Sequence, residues 1–367
     1  MGVPESRRGY DSIRIRPELR AAQVERAAYM TPALTLYFDE KYDLGESPLS
    51  SNFIKVNLVQ ALKVLVRRSG RVLEVPEPLW LRWLPKTVLL ALVWKTVGIV
   101  LRQERVVVTY SIENNDLASL ISPRRPLSRF VLRLIALCLG TLLRVTVDRI
   151  AFGSSAAERL YQSLPGVGSI STKLIEELPA AKDGRGNPAS PGSSAHAVFL
   201  GELDNRKGIE HVMAAWSVVE EARPDAHITI AGNGRLASVV ESWCAAKPDS
   251  RGYAGFVQHH QVPALLDSKA VLVAPSLREG RWREQIGLPI VEALAAGLTV
   301  VTTDETGLAQ WLRSHGHTVI AEKDVASQLP QALLTTLNNP LNKTEVLDTL
   351  PSVAGRIASD AWLHSSN

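Results

Sequence analysis

The chain has 367 residues, 46% of them hydrophobic and 21% charged, with Gly and Pro together at an ordinary level of about 12%; this excludes collagen-like, low-complexity and wholly disordered proteins and predicts two folded domains. Its two cysteines, Cys138 and Cys244, exclude a disulfide framework and a Cys-based zinc site, and they favour a reducing compartment. The net charge of +4 is uneven, because residues 1–150 carry 23 basic against 14 acidic side chains and residues 151–367 carry 18 against 23.

The first half of the chain predicts one α/β domain. Residues 1–30 mix charges with Ala and are expected to form an N-terminal tail or a peripheral helix. Over residues 31–178, strand and helix patterns alternate, which predicts a parallel, Rossmann-like sheet. The strand patterns are at 34–38, 72–75, 106–110 and 149–152, and the helical ones at 52–67, after Pro85, at 127–146 and at 155–164.

A second domain of the same kind follows a linker. Residues 179–195 are rich in Gly, Pro and Ser and almost free of large apolar residues, which is typical of an interdomain linker. Strand and helix patterns alternate again over 196–345, and 346–367 form a C-terminal segment expected to pack back on the N-terminal domain. Two doubly wound domains would face a central cleft, with ligands beyond the carboxyl ends of the strands.

No segment is expected to cross a membrane. The arginines near the N-terminus are not followed by an apolar run, so no secretory signal is predicted. Lys95, Arg133 and Arg144 divide the two apolar stretches into uncharged runs of at most 10 residues, against the roughly 18 to 20 needed to span a bilayer. A cytoplasmic location is therefore expected, extending to the inner face of the plasma membrane if the basic half contacts lipid.

Three glycine-bearing turns follow predicted strands, at Gly201, at Gly232 and Gly234, and at Gly287. Backbone N–H groups beside such glycines, together with a helix N-terminus, can bind phosphate. The alternative is that each glycine only permits a tight turn. Neither a Walker motif nor Gly-x-Gly-x-x-Gly is present, which argues against P-loop NTPases and dinucleotide dehydrogenases.

Glu284 and Glu292 flank Gly287 and are expected to face one crevice, where carboxylates could accept hydrogen bonds from sugar hydroxyls. The alternative is that the two glutamates simply lie on a solvated surface. The histidine pairs His259-His260 and His315-x-His317 have no partner at ligand spacing, so loop or capping roles are favoured over a metal site.

An ordered set of motifs resembles the retaining GT-B glycosyltransferases of family 4, the group 1 type. The resemblance covers about residues 196–340 and implies a GT-B fold of two Rossmann-like domains, with the donor bound mainly by the C-terminal one. It rests on residues 199–208, 230–234, 255–257, 274–276, 284–297 and 299–303.

This resemblance implies roles for individual residues. Lys207 would neutralise the donor diphosphate, Glu284 would bind hydroxyls of the transferred sugar, and Glu292 would bind the ribose. No metal or other cofactor is implied, because lysine, arginine and a helix terminus do that electrostatic work. The implied donor-binding residues are Gly201, Arg206, Gly232, Gly234, Gly255, Phe256, Val257, Ile286, Gly287, Leu288 and Glu292.

The sequence departs from the family at two points. Glu202 stands where the family usually has arginine; Arg206, Arg235, Arg281 or Arg283 could supply the charge, and Arg206 is favoured because it adjoins Lys207. All eight histidines lie at or beyond His196, so the N-terminal histidine of many relatives is absent. The acceptor-side candidates follow the strand at 106–110, where the alternative is an ordinary polar loop: Glu113, Asn114, Asn115 and Asp116.

The basic half suggests a membrane surface. On a helix over 127–146, Arg129, Arg133 and Arg144 form one stripe among aliphatic residues, and 85–102 is similarly apolar. Both helices either contact an anionic membrane or simply cover the sheet. Nucleic acid is not expected, since stacking aromatics do not accompany the basic residues.

Together these patterns predict a retaining glycosyltransferase. It would move a sugar from a nucleotide diphosphate sugar to a glycan or lipid-linked acceptor, in cell-surface polysaccharide or glycolipid synthesis. One alternative, motivated by Glu202, is a non-catalytic GT-B scaffold or donor-binding partner in a membrane glycan assembly. Another alternative, ranked third, is an epimerase or hydrolase that uses Glu284 and Glu292 as its acid and base.

Overall fold

The structure, a computed structural model, describes residues 9–41, 44, 49–125, 127–181 and 195–365. The N-terminal domain contains seven strands: β1 (Ser12–Leu19), β2 (Leu34–Glu40), β3 (Phe53–Lys55), β4 (Val72–Val75), β5 (Val106–Ser111), β6 (Arg149–Phe152) and β7 (Ser171–Leu174). Its helices are α1 (Ala21–Ala27), α2 (Leu58–Arg67), α3 (Leu84–Leu101), α4 (Leu117–Ile121), α5 (Arg129–Thr146) and α6 (Ser155–Gln162).

The C-terminal domain contains β8 (His196–Leu200), β9 (His227–Ala231), β10 (Arg251–Gly255), β11 (Val271–Ala274), β12 (Thr299–Thr303) and β13 (Thr318–Ile320). Its helices are α7 (Ile209–Ala222), α8 (Ala237–Ala245), α9 (Val262–Asp267), α10 (Leu288–Ala295), α11 (Ala309–Ser314) and α12 (Val325–Asn338), and the chain continues with α13 (Lys343–Asp348) and α14 (Gly355–Leu363).

Both sheets are parallel and doubly wound. Their strand orders are β3-β2-β1-β4-β5-β6-β7 and β10-β9-β8-β11-β12-β13. In each sheet the order reverses beside the domain's first strand, and the strand ends next to such a reversal are where ligands bind in open α/β sheets. The predicted α/β architecture of two Rossmann-like domains is confirmed.

The expectation of a tail or peripheral helix over residues 1–30 is wrong for β1, although α1 does form a helix without buried residues. Within that range the described residues include β1, which lies between β2 and β4 in the middle of the sheet. The charges that obscured this strand are buried and paired: Arg14 contacts Glu74 at 2.8 Å and Asp360 at 2.5 Å. A buried arginine is tolerated where carboxylates neutralise it.

The predicted helix over 52–67 divides into β3 and α2. Asn57 begins α2 because its side chain accepts a hydrogen bond from the Gln60 backbone N–H (2.9 Å), and Gln60 accepts one from the Asn57 N–H (2.8 Å). This reciprocal capping box fixes the first turn. The preceding three residues, Phe53–Lys55, therefore remain free to pair with β2.

The C-terminal segment returns to the first domain. Helix α14 packs on β5 and β6, and Arg356 at its start forms an ion pair with the buried Glu74 (2.7 Å). The Gly355 N–H donates to the Leu178 carbonyl (2.9 Å), just before the predicted linker. Of that linker, residues 182–194 lie outside the described part of the chain.

Among the described residues, one helix is long and apolar enough to cross a membrane by length and composition, contrary to the expectation of none: α3. Core helices of many proteins pass the same test. In this fold Leu90, Ala91 and Trp94 of α3 are buried against the N-terminal sheet, so the helix covers that sheet with one face.

Candidate active site

Three strand ends of the C-terminal domain form a continuous backbone edge. The Gly201 N–H donates to the Ala231 carbonyl (3.0 Å), and the Gly232 N–H donates to the Gly255 carbonyl (2.8 Å). A Cβ on Gly232 would lie 1.8 Å from the Gly201 carbonyl oxygen, so this approach of two loops requires glycine. The predicted glycines therefore lie side by side and leave room for a ligand to meet the backbone.

Lys207 and Glu284 meet at this edge. Lys207 ends a short 3-10 turn after β8, and its ammonium group forms an ion pair with Glu284 in the loop before α10. The Ser276 hydroxyl donates to the same carboxylate oxygen, Glu284 Oε2, at 3.1 Å. The structure thus brings together the two residues that the resemblance assigns to the donor diphosphate and to the transferred sugar, although 77 positions separate them.

The N-terminus of α10 faces the same small cavity through Gly287, which lines it with Lys207 and Glu284. Gly287 has φ +89°, a conformation that favours glycine, and among the described side chains none caps the first turn. The free backbone N–H groups and the helix dipole make this a suitable place for a phosphate. Of its neighbours, Ile286 is buried, whereas Leu288 is exposed.

The unexpected Glu202 is paired rather than free. Its carboxylate forms an ion pair with Arg206, and Arg235 pairs with Asp204 at 2.9 Å. The charge of Arg206, the favoured substitute for the family arginine, is therefore partly offset by an acid four residues away.

The ring of Trp282 packs against the cationic groups of Arg206 and Lys207. Its ring centre lies 4.4 Å from the Arg206 guanidinium carbon and 4.8 Å from Lys207 Nζ, within cation–π distance. This residue could not be selected from the sequence, because a single tryptophan in a polar loop carries no periodic signal. Its place two positions before Glu284 is the only hint.

Glu292 lies apart from Glu284. Its Oε1 is 3.1 Å from His259 Nδ1, and burial raises the pKa of Glu292 while His259 opposes that rise. Glu292 lines a separate cavity with His259, His260 and Lys343. Glu284 and Glu292 thus have different partners and line different cavities, and a common crevice for both stays a prediction. Nearby, Phe256 is exposed and Val257 packs against a core cluster of the domain.

The acceptor-side candidates form a contact between the domains. The Asn114 side-chain amide donates to the Glu284 carbonyl (2.8 Å), and that of Asn115 donates to the Arg281 carbonyl (3.1 Å). Asp116 pairs with Arg278 at 2.8 Å; burial opposes ionisation of Asp116, but the Ser119 N–H and Arg278 outweigh it and lower its pKa to about 2. An acceptor role for these residues stays a prediction.

A buried acid lies beneath that contact. Glu77 accepts hydrogen bonds from the Ile112 and Glu113 N–H groups (3.1 and 2.9 Å) and from the Tyr161 hydroxyl (3.2 Å). Burial, reinforced by the nearby charge of Glu113, raises the pKa of Glu77 to about 8. This carboxyl group is therefore mainly protonated at neutral pH. Glu113 itself accepts from the Asn115 side chain at 2.8 Å.

One cluster in the described part of the chain has a metal-like composition: Glu74, Asp360 and His364 place three possible ligand atoms within 4.8 Å of one another. Three arginines already neutralise these carboxylates, namely Arg14, Arg16 and Arg356. The cluster lies where α14 joins the N-terminal sheet. Its donor set fits an ion-pair network that fastens the C-terminal helix and does not fit a metal site.

Comparisons with known proteins agree with this arrangement. Residues 194–339 match the family model described as glycosyl transferases group 1. A GDP-mannose-dependent monoacylated alpha-(1-6)-phosphatidylinositol monomannoside mannosyltransferase of Corynebacterium glutamicum is 26% identical over 213 residues, which are 54% of this chain and 55% of that protein. An uncharacterized glycosyltransferase of Methanocaldococcus jannaschii is 31% identical over 118 residues, 32% of this chain and 29% of that one.

The similarity of fold extends further than the similarity of sequence. The crystal structure of HepE from Anabaena in complex with UDP superposes with a TM-score of 0.61 over 96% of this chain and 95% of that one, at 12% identity. The curated relatives align over about half of their own length or less. The family-model match therefore lies in the C-terminal domain, whereas the similarity of fold extends over nearly the whole chain.

Proposed function

We propose that this chain, whose residues 194–339 match the family model of group 1 glycosyl transferases and whose fold is of the GT-B type, transfers a sugar from a nucleotide diphosphate sugar with retention of anomeric configuration. The acceptor is a glycan or a lipid-linked molecule of cell-surface polysaccharide or glycolipid synthesis. The observation that carries the proposal is the contact of Lys207 with Glu284 beside the N-terminus of α10.

The chemistry follows from these charges. The acceptor hydroxyl attacks the anomeric carbon on the face from which the diphosphate leaves. Lys207 and the backbone N–H groups at Gly287 stabilise the negative charge that develops on the diphosphate, and fixed donors of this kind favour the transition state over the bound donor. Glu284 accepts hydrogen bonds from the sugar, so donor binding replaces part of the Lys207–Glu284 contact. No metal takes part in this proposal.

Donor contacts beyond this pair belong to the same proposal. The loops at Gly201, Gly232 and Gly255 approach the nucleotide with their backbones, and Glu292 binds the ribose. Arg206 supplies the second cation once the donor competes with Glu202 for its guanidinium group. Since Glu292 now pairs with His259, ribose binding also requires that this contact loosens.

The alternative is a donor-binding scaffold without turnover. Two features support it: Glu202 neutralises Arg206, and the chain has no histidine before His196. An epimerase or hydrolase has less support, because Glu284 pairs with Lys207 whereas Glu292 pairs with His259 in a different cavity. An acid–base pair needs its two carboxyl groups across one open sugar site.

The location and the acceptor are proposed together. A lipid-linked acceptor suits a cytoplasmic protein that contacts the inner face of the plasma membrane through residues 85–102 and 127–146. The name of the Corynebacterium relative, a phosphatidylinositol monomannoside mannosyltransferase, supports an acceptor of this class. Nucleic acid is not among the proposed partners.

The test is a transfer assay with nucleotide sugars against glycan and lipid extracts. Acceptor-dependent release of one nucleoside diphosphate, with a product whose anomeric proton coupling matches the donor, supports the proposal. Donor binding without release favours the scaffold. Release of a product with inverted configuration contradicts the retaining mechanism.

A further inference from the structure

Helices α2, α3 and α5 form one layer on the N-terminal sheet, with α3 packed between the other two. Their sequences contain no aspartate or glutamate. They contain seven basic residues: Lys63, Arg67, Lys86, Lys95, Arg129, Arg133 and Arg144. We call the outward surface of these three helices the α2–α3–α5 face.

This face is also the most apolar part of the described surface. Of twenty exposed large hydrophobic residues in the described part of the chain, twelve lie on these three helices. Ile99 and Phe130 are 78% and 76% exposed, which is unusual for side chains of this size. An exposed patch of this kind marks an interaction site. The twelve are Val59, Val66, Leu89, Leu92, Ile99, Val100, Leu101, Phe130, Val131, Leu134, Leu137 and Val145.

Most of the positive charge on the face is uncompensated. Lys95 pairs with Asp148 at 2.8 Å, and Lys86 lies over the Trp83 ring. The remaining five basic side chains are exposed, and none has a carboxylate of the described residues within ion-pair distance: Lys63, Arg67, Arg129, Arg133 and Arg144. The surface therefore combines aliphatic side chains with a net charge that attracts anions.

We infer that the α2–α3–α5 face docks peripherally on an anionic phospholipid bilayer. Aliphatic side chains enter the boundary between headgroups and acyl chains, and lysine and arginine beside them contact the negative headgroups. Helix α3 lies on the bilayer and does not span it, because Leu90, Ala91 and Trp94 hold its opposite side against the sheet. An acidic protein would match the charge but would leave twelve apolar side chains without a matching partner.

Docking in this way brings one edge of the cleft to the membrane. The loop before α5 carries Arg124 and Arg125, which line a cavity with Arg281 of the donor-site loop. This step rests on the proposed function: the phosphate of a lipid-linked acceptor would meet these three arginines while its sugar reaches the cleft. The docking itself needs no transferase activity.

Flotation with vesicles tests the inference. Vesicles of phosphatidylcholine alone are compared with equimolar phosphatidylcholine and phosphatidylglycerol, at about 0.1 M and about 1 M salt, where charges are screened beyond about 10 Å and about 3 Å respectively. We expect the full chain to float with the anionic vesicles at the lower salt and only weakly with the neutral ones. Equal binding to both compositions, or binding to neither, would overturn it.

Matched variants locate the surface. Leu134→Asp and Val239→Asp place a charge at positions of nearly equal exposure, 52% on α5 and 50% on α8. The first should lower vesicle binding at least tenfold and the second should leave it unchanged. The triple change of Arg129, Arg133 and Arg144 to Gln keeps exposed polar residues and should lower binding about a hundredfold.

Other outcomes are equally decisive. A dimer that Leu134→Asp dissociates, without vesicle binding, would show that a second copy covers the face and would overturn the inference. Wild-type binding by Leu134→Asp and by the triple arginine variant would also overturn it. A thermal shift with nucleoside diphosphates on the same preparations reports the donor site separately, so failure of docking is distinguishable from failure of the proposed activity.

Discussion

The side-chain amide of Asn114, in the N-terminal domain, donates a hydrogen bond across 2.8 Å to the backbone carbonyl of Glu284, in the C-terminal domain. In the opposite direction, the guanidinium group of Arg283, in the C-terminal domain, donates to the backbone carbonyl of Asn114 at 2.5 Å. The loop that carries Glu284 is therefore held by the domain expected to bind the acceptor. The position of this carboxylate depends on the contact between the domains.

Asn114→Ala should lower the turnover number with little effect on the thermal midpoint. The change leaves the partly buried Glu284 carbonyl without this donor, and such a loss costs about 1 to 3 kcal/mol, or roughly 5- to 150-fold in rate if it falls on the transition state. Steady-state kinetics measure it. Asn52→Ala is the matched control, since its amide also donates to a backbone carbonyl, that of Ala33 (3.2 Å), away from the cleft. Equal rates in both variants would contradict the coupling.

Lys207→Ala and Glu284→Ala should each lower the turnover number by about two to three orders of magnitude, the usual effect of removing a group that stabilises transition-state charge. Both side chains are mostly buried at the site but lie outside the main core clusters, so circular dichroism should be unchanged. Lys247→Ala removes the lysine of another Lys–Glu pair, with Glu220 at 2.7 Å, and should keep full activity. Wild-type rates in the two site variants would exclude the assignment.

Glu202→Gln should strengthen donor binding. The substitution removes the carboxylate that pairs with Arg206, and an exposed ion pair of this kind is worth up to about 1 kcal/mol, so the dissociation constant should fall by up to about fivefold. Calorimetric titration with the donor diphosphate measures it. Glu221→Gln removes an exposed acid on α7 and serves as the control. Weaker binding by Glu202→Gln would mean that this carboxylate itself contacts the donor.

The contribution of Glu77 to the stability of the wild type should fall as the pH rises from about 5 to 8. Glu77 has a folded-state pKa of about 8, above its value of 4.5 in the unfolded chain, so over this range the folded state binds more protons than the unfolded one. The stabilisation that Glu77 contributes is complete below its unfolded-state pKa. It is lost as the pH rises towards its folded-state pKa, at up to about 1.4 kcal/mol per pH unit.

Glu77→Gln tests this assignment because it keeps a neutral side chain of the same shape. Its urea midpoint should change less between pH 5 and pH 8 than that of the wild type. Burial also raises the pKa of Glu176, to about 7, so part of the slope should remain in the variant. Identical slopes in the two proteins would show that Glu77 is ionised throughout.

Much of the fold could be predicted from local patterns. The strand at Val106–Ser111 is β-branched and buried, and the glycine turns at 201 and 232 follow strands in the expected order. Strand β1 was not predicted from the sequence, because Arg14 and Arg16 interrupt its apolar residues. Their partner Glu74 and, for Arg14, Asp360 lie about 60 and 346 positions away, and only the folded chain brings them close.

The candidate site was predicted in part for a similar reason. Lys207 and Glu284 belong to motifs whose order along the chain can be read directly. The contacts of the site residues cannot be read from the order of the motifs. His259 pairs with Glu292, Glu202 pairs with Arg206, and Asn114 donates to the Glu284 carbonyl. Each of these contacts depends on which loops the two sheets place at the same edge.

A thermal-shift measurement with UDP, GDP, ADP, CMP and dTDP and their sugars, without added metal, tests the central claim most directly. A ligand present at 100 times its dissociation constant stabilises the folded state by about 2.7 kcal/mol. We predict that one nucleoside diphosphate raises the melting temperature of the wild type and that Lys207→Ala loses most of this shift. No shift with any nucleotide, or an equal shift in Lys207→Ala, would contradict a donor site at Lys207 and Glu284.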